Sequence, residues 1–455
     1  MTVAPAPILT RRPRALLAVA CAAQFVAVLD VSIVNVALPP IQESLALDAT
    51  GLQWVVSSYT LTFAGFLLLG GRVGDLWGHK RAFIGGLLVF SLASLVCGFA
   101  QTGWQLIAAR FVQGAGAAVL VPTTLTLVTA GLTDQRARAR ALSVLTAAAA
   151  AGGGFGAIIG GVLTGLLSWR WVFFVNVPLG AVLVAAAAWV MIGQGRRDTR
   201  GRLDLPGSVT VTVGTAALVS AVILAEDQGL AVSTVGALML AVAAFAAFVV
   251  VERRAPDPIV PLGVFRVRAV SAANGLAALV SGVLPATMFF LSLYLQQVLG
   301  MDPLLTGLAL TPGAIGIALG ARAASLGVGR LGPRRLFVIG SLLAAAGLVW
   351  LSAIGPQDRY EWAVLPPLVL VMVGLGASGL PLTLAATSGL PTEQAGLASG
   401  LLSASKQVGS AVGLALLVAV ASAAASTGAG LLTGAGLLAA GCLLAFTLPT
   451  ERTPR

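Results

Sequence analysis

The sequence predicts an all-α polytopic membrane protein, and three observations carry that prediction. Of the 455 residues, 58% are hydrophobic and only 9% are charged, whereas about 25% are charged in an ordinary soluble domain. The apolar residues form long runs, each near the roughly 20 residues that a spanning helix needs. The basic residues are concentrated in alternate gaps between those runs.

Fourteen apolar runs are separated by polar breaks, and each is predicted to be one transmembrane helix. The first run follows three arginines and resembles a signal peptide in outline. It continues without a break through residues 29–40, however, and is therefore predicted to be a retained first span. The runs cover residues 15–39, 52–71, 82–101, 105–130, 141–167, 172–192, 205–225, 231–251, 269–298, 304–328, 333–354, 362–386, 396–422 and 429–448.

The positions of the basic residues predict the orientation. All but five of the 27 Lys and Arg residues lie in loops that an even number of spans places on the cytoplasmic side; the exceptions are Arg110, Arg170, Arg322, Arg359 and Lys406. The positive-inside rule then predicts a multi-pass protein of the cytoplasmic (inner) cell membrane, with both termini in the cytoplasm. The same distribution explains the net charge of +11 without nucleic acid as a partner.

Residue types that carry metal and nucleophilic chemistry are scarce. The chain has one histidine and three cysteines, and the cysteines lie inside apolar runs without metal-ligand spacing. We therefore expect no metal site and no catalytic triad. The GxxxxGK[ST] phosphate-binding pattern is also missing, which argues against direct use of ATP. The protein is predicted not to be an enzyme and to need no cofactor.

A weak internal repeat organises the chain. The segment GGRVGDLWGHKR, residues 70–81, aligns with VGRLGPRRLF, residues 328–337, at an offset of eight spans instead of six. Such repeats are typical of secondary transporters. We therefore predict an N-terminal six-helix bundle at 1–192, two extra spans with their linkers at 193–256, and a C-terminal six-helix bundle at 257–455.

Five stretches carry a resemblance to a known family, namely LDVSIVNVALPP (29–40), GRVGDLWGHKR (71–81), LIAARFVQGAGAA (106–118), SWRWVFFVNVPLG (168–180) and GLASGLLSASKQVGSAVGLAL (396–416). Together they resemble the fourteen-span drug:proton antiporters of the major facilitator superfamily. The resemblance implies the major facilitator fold and proton-coupled export of small organic compounds, such as drugs, antibiotics or related metabolites, by alternating access. Protons would supply the energy, and the partners would be a small-molecule substrate, protons and the lipid bilayer, with the chain acting as a monomer.

One departure from the family pattern concerns the fifth span. The stretch GGGFGAIIGG, residues 152–161, has Ala157 where the antiporter signature has proline. Without that proline the helix keeps a backbone hydrogen bond and we expect less kinking. An uptake symporter or a uniporter of the same superfamily therefore stays open as an alternative, and a polytopic membrane enzyme or receptor is the alternative of a different class.

Three charged residues lie deep within predicted spans, namely Asp30, Arg110 and Lys406, and charges within a bilayer are expected to be functional. At about 1.5 Å per residue, Asp30 and Arg110 lie at similar depths, roughly 8 and 9 Å from the outer edge of a ~30 Å core. We predict that Asp30 carries the proton and that Arg110 sets its proton affinity, the alternative being a permanent structural ion pair. The summed charge of the three groups favours neutral, zwitterionic or weakly acidic substrates.

Two further groups of residues are predicted to be functional. The polar and aromatic residues predicted to line a substrate cavity, each as able to satisfy a helix contact instead, are Gln24, Asn35, Trp54, Tyr59, Gln113, Asn274, Tyr294, Gln297 and Lys406. The loop motif is predicted to hold the two halves together in one access state, or else only to fix the topology. Its residues are Gly71, Arg72, Gly74, Asp75, Gly78, Lys80 and Arg81. The glycines are expected to allow a tight turn.

Overall fold

A computed structural model describes residues 13–129, 135–191, 204–228, 231–256, 258, 260, 262–355, 357–387 and 395–447. These residues form fifteen α-helices, and no strand occurs among them. Eleven of the helices are long and apolar enough to cross a membrane. The all-α membrane class is thus confirmed, while the count of fourteen spans stays a prediction.

The chain divides into two compact units, Met1–Ser208 and Val209–Arg455. The boundary falls near the start of α8 (Leu205–Gln228), where the side chain of Asp204 accepts a hydrogen bond of 2.8 Å from the backbone N–H of Gly207. The helices of the first unit are α1 (Pro13–Leu45), α2 (Ala49–Trp77), α3 (His79–Phe99), α4 (Gly103–Thr129), α5 (Gln135–Leu166), α6 (Trp171–Phe174) and α7 (Asn176–Val190).

The second unit contains one very long helical element. α12 runs over 50 residues, but Gly332 within it has a non-helical backbone and divides it into two arms. These arms cover the two separate spans predicted at 304–328 and 333–354. The helices are α9 (Val232–Arg254), α10 (Arg268–Val280), α11 (Val283–Leu293), α12 (Pro303–Ser352), α13 (Leu365–Thr387), α14 (Ala395–Ala423) and α15 (Thr427–Leu444).

A stripe of glycines lets α5 approach α1 closely. Gly152, Gly156 and Gly160 recur every fourth residue, and a Cβ atom on Gly156 would lie 2.6 Å from the Cβ of Ser32. Ser32 also donates a hydrogen bond of 2.7 Å to the carbonyl of Gly153. Small residues serve helix contacts in membranes because little apolar driving force exists between helices in lipid. α5 continues through Ala157, consistent with the absence of proline there.

The predicted repeat is visible in the backbone. α2 begins at an aspartate cap, where Asp48 accepts from the N–H of Gly51 at 2.7 Å, and it ends at Gly78, which has a φ of 88°. The first arm of α12 begins at Asp302, which accepts from Leu305 at 2.7 Å, and ends at Gly332, with a φ of 75°. The capping aspartate precedes the glycine of positive φ by the same number of residues in both units.

The packing order within each unit also repeats. In the first unit, α1 packs on α5, while α2 and α3 both pack on α4; in the second, α10 packs on α14 and both arms of α12 pack on α13. The last helix of each unit, α7 or α15, packs on the element that follows the left-handed glycine. The structure therefore uses the same helical arrangement twice, as expected for an internally duplicated transporter.

We predict that Gly156→Ala destabilises the protein, because the new methyl group would collide with Ser32 and force α1 and α5 apart. Overpacking of this kind costs about 1–3 kcal/mol. Thermal unfolding in detergent should show a midpoint several degrees below that of the wild type. Gly85→Ala on α3 is the matched control, because a Cβ there meets nothing within 4 Å; equal melting of the two variants would contradict the proposed role of the stripe.

Candidate functional site: a buried ion pair

Asp30 and Arg110 form an ion pair inside the first unit. Asp30 lies on α1 and Arg110 on α4, and their exposed fractions are 0% and 1%. Nη1 of Arg110 lies 2.6 Å from Oδ2 of Asp30. The structure thus brings together the two residues that are predicted from the sequence to lie at the same depth in the membrane.

The second carboxylate oxygen of Asp30 accepts two further hydrogen bonds. The side-chain amides of Gln113 and Asn176 each donate to Oδ1 at 2.7 Å. The amide of Asn176 also donates to Oγ of Ser94 at 3.0 Å, and that hydroxyl donates to the carbonyl of Phe173 at 2.9 Å. Gln113, Asn176, Ser94 and Phe173 are all buried, so protein groups hold the carboxylate in place.

Arg110 is fixed on three sides. Its Nε donates to the backbone carbonyl of Val55 on α2 at 3.1 Å, and its Nη1 donates to Oε1 of Gln113 at 2.8 Å as well as to Asp30. The guanidinium carbon lies 4.3 Å from the centroid of the Tyr59 ring, a distance suited to a cation–π contact. The guanidinium group therefore connects α4 to both α1 and α2.

This arrangement is suited to the ionised carboxylate. The described hydrogen-bond partners of the Asp30 carboxylate are all N–H donors, from Arg110, Gln113 and Asn176. An ionised carboxyl group only accepts hydrogen bonds, whereas a protonated one must also donate. Protonation would remove the negative charge that strengthens these three hydrogen bonds and would add an O–H donor that needs an acceptor of its own.

Gln113 and Tyr59, predicted as residues lining a substrate cavity, are placed by the structure against the ion pair. Asn176 is also among the polar residues expected to line a cavity, whereas sequence reasoning did not include Ser94. Asn176 lies within the SWRWVFFVNVPLG stretch, which offers a signal for it, because a polar residue stands there in an apolar run. Ser94 offers no such signal, since an isolated serine in a spanning helix commonly bonds only to its own backbone.

The remaining predicted cavity residues of the first unit do not contact the pair. Oε1 of Gln24 accepts from Thr124 at 3.2 Å, and Asn35 donates to the carbonyl of Val31 at 3.2 Å. The ring of Trp54 lies 6.3 Å from that of Phe111. These contacts lie within or between helices of the unit, and a substrate role for these residues stays a prediction.

In the second unit, the predicted cavity residues occupy separate places. Asn274 on α10 is buried and accepts a hydrogen bond of 2.8 Å from Ser405 on α14. Tyr294 lies at the end of α11 and donates to the carbonyl of Gly355 at 2.8 Å. Gln297 is exposed and Lys406 half-buried. The structure brings Asn274 into contact with Ser405, the residue before Lys406, and places Tyr294 and Gln297 in the π-helical segment Tyr294–Val298 after α11.

The loop motif forms a one-residue turn. α2 ends at Trp77, Gly78 takes the left-handed conformation, and α3 starts at His79. Gly71 and Gly74 lie inside α2 instead of in the turn, because helix geometry continues to Trp77. A Cβ at Gly74 would lie 3.0 Å from Nδ1 of His79, so this glycine serves close packing.

The basic residues after the two left-handed glycines reach the last helix of their own unit. Nζ of Lys80 donates to the carbonyl of Ala188 near the end of α7, at 3.4 Å. The guanidinium of Arg334 lies 4.0 Å from the centroid of the Phe446 ring, just after α15. Arg81 is exposed. The side chains of Arg72 and Asp75 lie outside the described residues, so their predicted roles stay predictions.

Among the residues that the structure describes, no cluster of three or more His, Cys, Asp or Glu side chains occurs. Cys97, which is buried, lies 3.8 Å from Oε1 of Gln113 and belongs to the surroundings of the ion pair. A carboxylate such as that of Asp30 is a group that can accept a proton.

Comparison with known proteins identifies related chains. The family model described as Major Facilitator Superfamily matches residues 20–414. The cephamycin export protein CmcT of Amycolatopsis lactamdurans is 42% identical over 90% of this chain and 85% of its own length. The puromycin resistance protein pur8 of Streptomyces alboniger is 39% identical over 90% and 82%, and the lincomycin resistance protein of Streptomyces lincolnensis is 33% identical over 87% and 82%.

Solved structures with the same fold are more distant in sequence. A POT family transporter in complex with a thioalcohol-conjugated peptide superposes with a TM-score of 0.70, at 15% identity over 94% of each chain. An auto-inhibited POT family peptide transporter gives a TM-score of 0.67 at 17% identity, over 95% of each chain. At these identities the likeness concerns the fold alone.

We predict a large coupling energy between the two members of the ion pair. Asp30→Asn leaves Arg110 as a buried unpaired cation, and Arg110→Gln leaves Asp30 as a buried unpaired anion; breaking a buried pair in this way costs about 3–5 kcal/mol. The double variant leaves neither charge and should cost less than the sum of the single variants by about 2 kcal/mol or more. Denaturant unfolding in detergent measures all four proteins, and additive losses would contradict the pairing.

Proposed function

The chain belongs to the Major Facilitator Superfamily, and we propose that it exports small organic compounds from the cytoplasm in exchange for protons. Its relatives are antibiotic export and resistance proteins of that superfamily, and it is accordingly a multi-pass membrane transporter of the drug-efflux type. The observation that carries the proton coupling is the Asp30 carboxylate, buried between spanning helices and facing only hydrogen-bond donors.

The substrates named for the relatives give the first compounds to test. One relative is named for cephamycin export, and others for resistance to puromycin and lincomycin. These are small organic antibiotics of different chemical classes. We infer that the present chain exports one or more such compounds.

The first step of the proposed cycle concerns the ionised state. With Asp30 ionised, its contacts tie α1 to Arg110 and Gln113 on α4 and to Asn176 on α7. Arg110 extends the connection to α2 through the carbonyl of Val55. This state is proposed to hold the four helices in one arrangement, because each charged or polar group has its partner.

The second step is protonation. A neutral Asp30 attracts Arg110 less strongly, accepts weaker hydrogen bonds and carries an O–H donor that needs an acceptor, so its three contacts weaken. The weakened contacts join α1 to α4 and α7, and a proton is thereby linked to the packing of the spanning helices. Two helix arrangements with different proton affinity are what exchange of a proton for a substrate requires.

The other features of the transporter follow from this proposal. It acts as a carrier and not as an enzyme, uses no cofactor, and takes its energy from the proton gradient. We place it in the cytoplasmic (inner) membrane and propose that it acts as a monomer. Both termini are proposed to lie in the cytoplasm, since the basic residues concentrate in the loops on that side. An uptake symporter or uniporter is the second candidate, favoured by Ala157 in place of the signature proline.

The loop after α2 is proposed to take part in switching between the two arrangements. Gly78 permits the sharp turn, and Lys80 holds the start of α3 to the end of α7 through the carbonyl of Ala188. α7 also carries Asn176, which donates to Asp30. The hydrogen bond at Asp30 and the hydrogen bond of Lys80 are therefore connected through α7. Arg72, Asp75 and Arg81 are proposed as the charged residues that engage and release during the switch.

We predict that Asp30→Asn abolishes transport driven by a proton gradient but retains exchange of labelled for unlabelled substrate. Asparagine preserves the size of the side chain and cannot bind and release a proton near neutral pH, so only the coupled process should fail. Everted membrane vesicles loaded with an imposed proton gradient measure the first process by uptake of puromycin, and substrate counterflow in proteoliposomes measures the second.

The matched control is Asp48→Asn. Asp48 caps α2 outside the ion pair, and asparagine caps helices about as well as aspartate. This variant should keep gradient-driven transport. Wild-type uptake that persists after an ionophore collapses the gradient would refute proton coupling, and full gradient-driven uptake by Asp30→Asn would move the proton site elsewhere.

A further inference from the structure

A polar stripe runs along α14 near the middle of that helix. Ser403, Lys406, Gln407 and Ser410 are spaced by three or four residues, which places them on one side of an α-helix. Ser403 is exposed and the other three are half-buried. About two turns of a spanning helix therefore carry polar groups along one line, which lipid alone does not stabilise.

Lys406 has no partner of opposite charge in the part of the chain that the structure describes. Among the described residues, its ammonium group makes no hydrogen bond and no ion pair, the one ion pair there being that of Arg110 with Asp30. The adjacent Ser405 behaves differently, because it donates to Asn274 on α10 at 2.8 Å. The side of α14 that carries Ser405 thus packs with satisfied polar groups, whereas the side of Lys406 carries an uncompensated charge.

The described acids of the second unit are engaged near helix ends. Asp302 accepts from the N–H of Leu305, Asp358 from that of Gly355, and Glu252 from that of Val260. Glu361 is exposed in the turn before α13. None of these four lies within the middle of a spanning helix, so the described part of this unit offers Lys406 no counter-ion at its own depth.

The two charged residues that lie deep in the spans of the first unit neutralise each other. Asp30 and Arg110 form a pair at 2.6 Å, so together they contribute no net charge in the state that the structure shows. Of the three charged residues deep in the spans, Lys406 alone remains without a counter-charge. An unpaired charge in a membrane is costly, and a bound ligand of opposite sign removes that cost.

We propose that the ammonium group of Lys406 binds a carboxylate group of the exported compound. A carboxylate carries the single negative charge that matches Lys406, and its two oxygens accept the N–H donors of an ammonium group. A dianionic phosphate would leave one charge unbalanced. Ser403, Gln407 and Ser410 supply hydroxyl and amide groups along the same stripe for the rest of a polar substrate. This inference rests on the proposed export function and specifies its substrate class.

The test compares carboxylates with their methyl esters. Each of a small panel of compounds, cefoxitin among them, is added as free carboxylate and as ester, and competition against labelled puromycin in proteoliposomes gives an apparent affinity for each form. The wild type should prefer carboxylates by about tenfold or more, the usual effect of a charge-assisted hydrogen bond. Lys406→Gln should lose that preference while its affinity for the esters stays within about twofold, and Lys406→Arg should restore most of it.

Arg322→Gln provides the matched control. This residue is an exposed cation on α12 of the same unit, so its removal changes the charge by the same amount without touching the stripe. The control should keep the wild-type preference. The inference is overturned if the wild type does not prefer any carboxylate over its ester, or if Lys406→Gln prefers carboxylates as strongly as the wild type. Proton-coupled puromycin transport that survives either result would leave the export function standing, so the two failures are distinguishable.

Discussion

A carboxylate and a guanidinium group withdrawn from water between spanning helices constrain the whole first unit. Neither charge is tolerated alone, because an unpaired ion in the membrane interior costs several kcal/mol even after relaxation. The two are tolerated together because Gln113, Asn176 and the carbonyl of Val55 complete their hydrogen bonds. Helices α1, α2, α4 and α7 must therefore meet at one point, and the close helix contacts around them keep them there.

This arrangement is poorly explained by stability. Replacing a buried ion pair by apolar groups of similar volume is often neutral or stabilising, and the surrounding helices are apolar enough to accept such a replacement. What an ion pair offers, and apolar residues do not, is a response to a proton. Because the Asp30 carboxylate accepts each of its described hydrogen bonds, one proton weakens these bonds and adds a donor to the site. By the same reasoning, we propose that the charge of Lys406, in the second unit, is balanced by a group of the substrate.

Much of this was accessible from the sequence, for reasons that differ between features. Rise per residue along a helix is constant, so the common depth of Asp30 and Arg110 follows from counting. The left-handed Gly78 and Gly332 follow from a repeated motif, since glycine takes that conformation at low cost. Ser94 and the carbonyl of Val55 could not be predicted, because which sides of two helices face each other depends on packing that residue spacing does not specify. The extension of α2 through Gly71 and Gly74 also ran against local propensity, since close packing favoured glycine inside that helix.

The protonation state of Asp30 is the quantity on which the account depends most directly. Infrared difference spectroscopy of the protein with isotope-labelled aspartate, recorded in lipid at high and low pH, detects the C=O stretch of a protonated carboxylic acid. The account predicts such a band for the wild type within the pH range in which transport is coupled, and its absence in Asp30→Asn. A wild-type spectrum without that band across the whole coupled range would mean that Asp30 stays ionised throughout, and the ion pair would then be a permanent structural element.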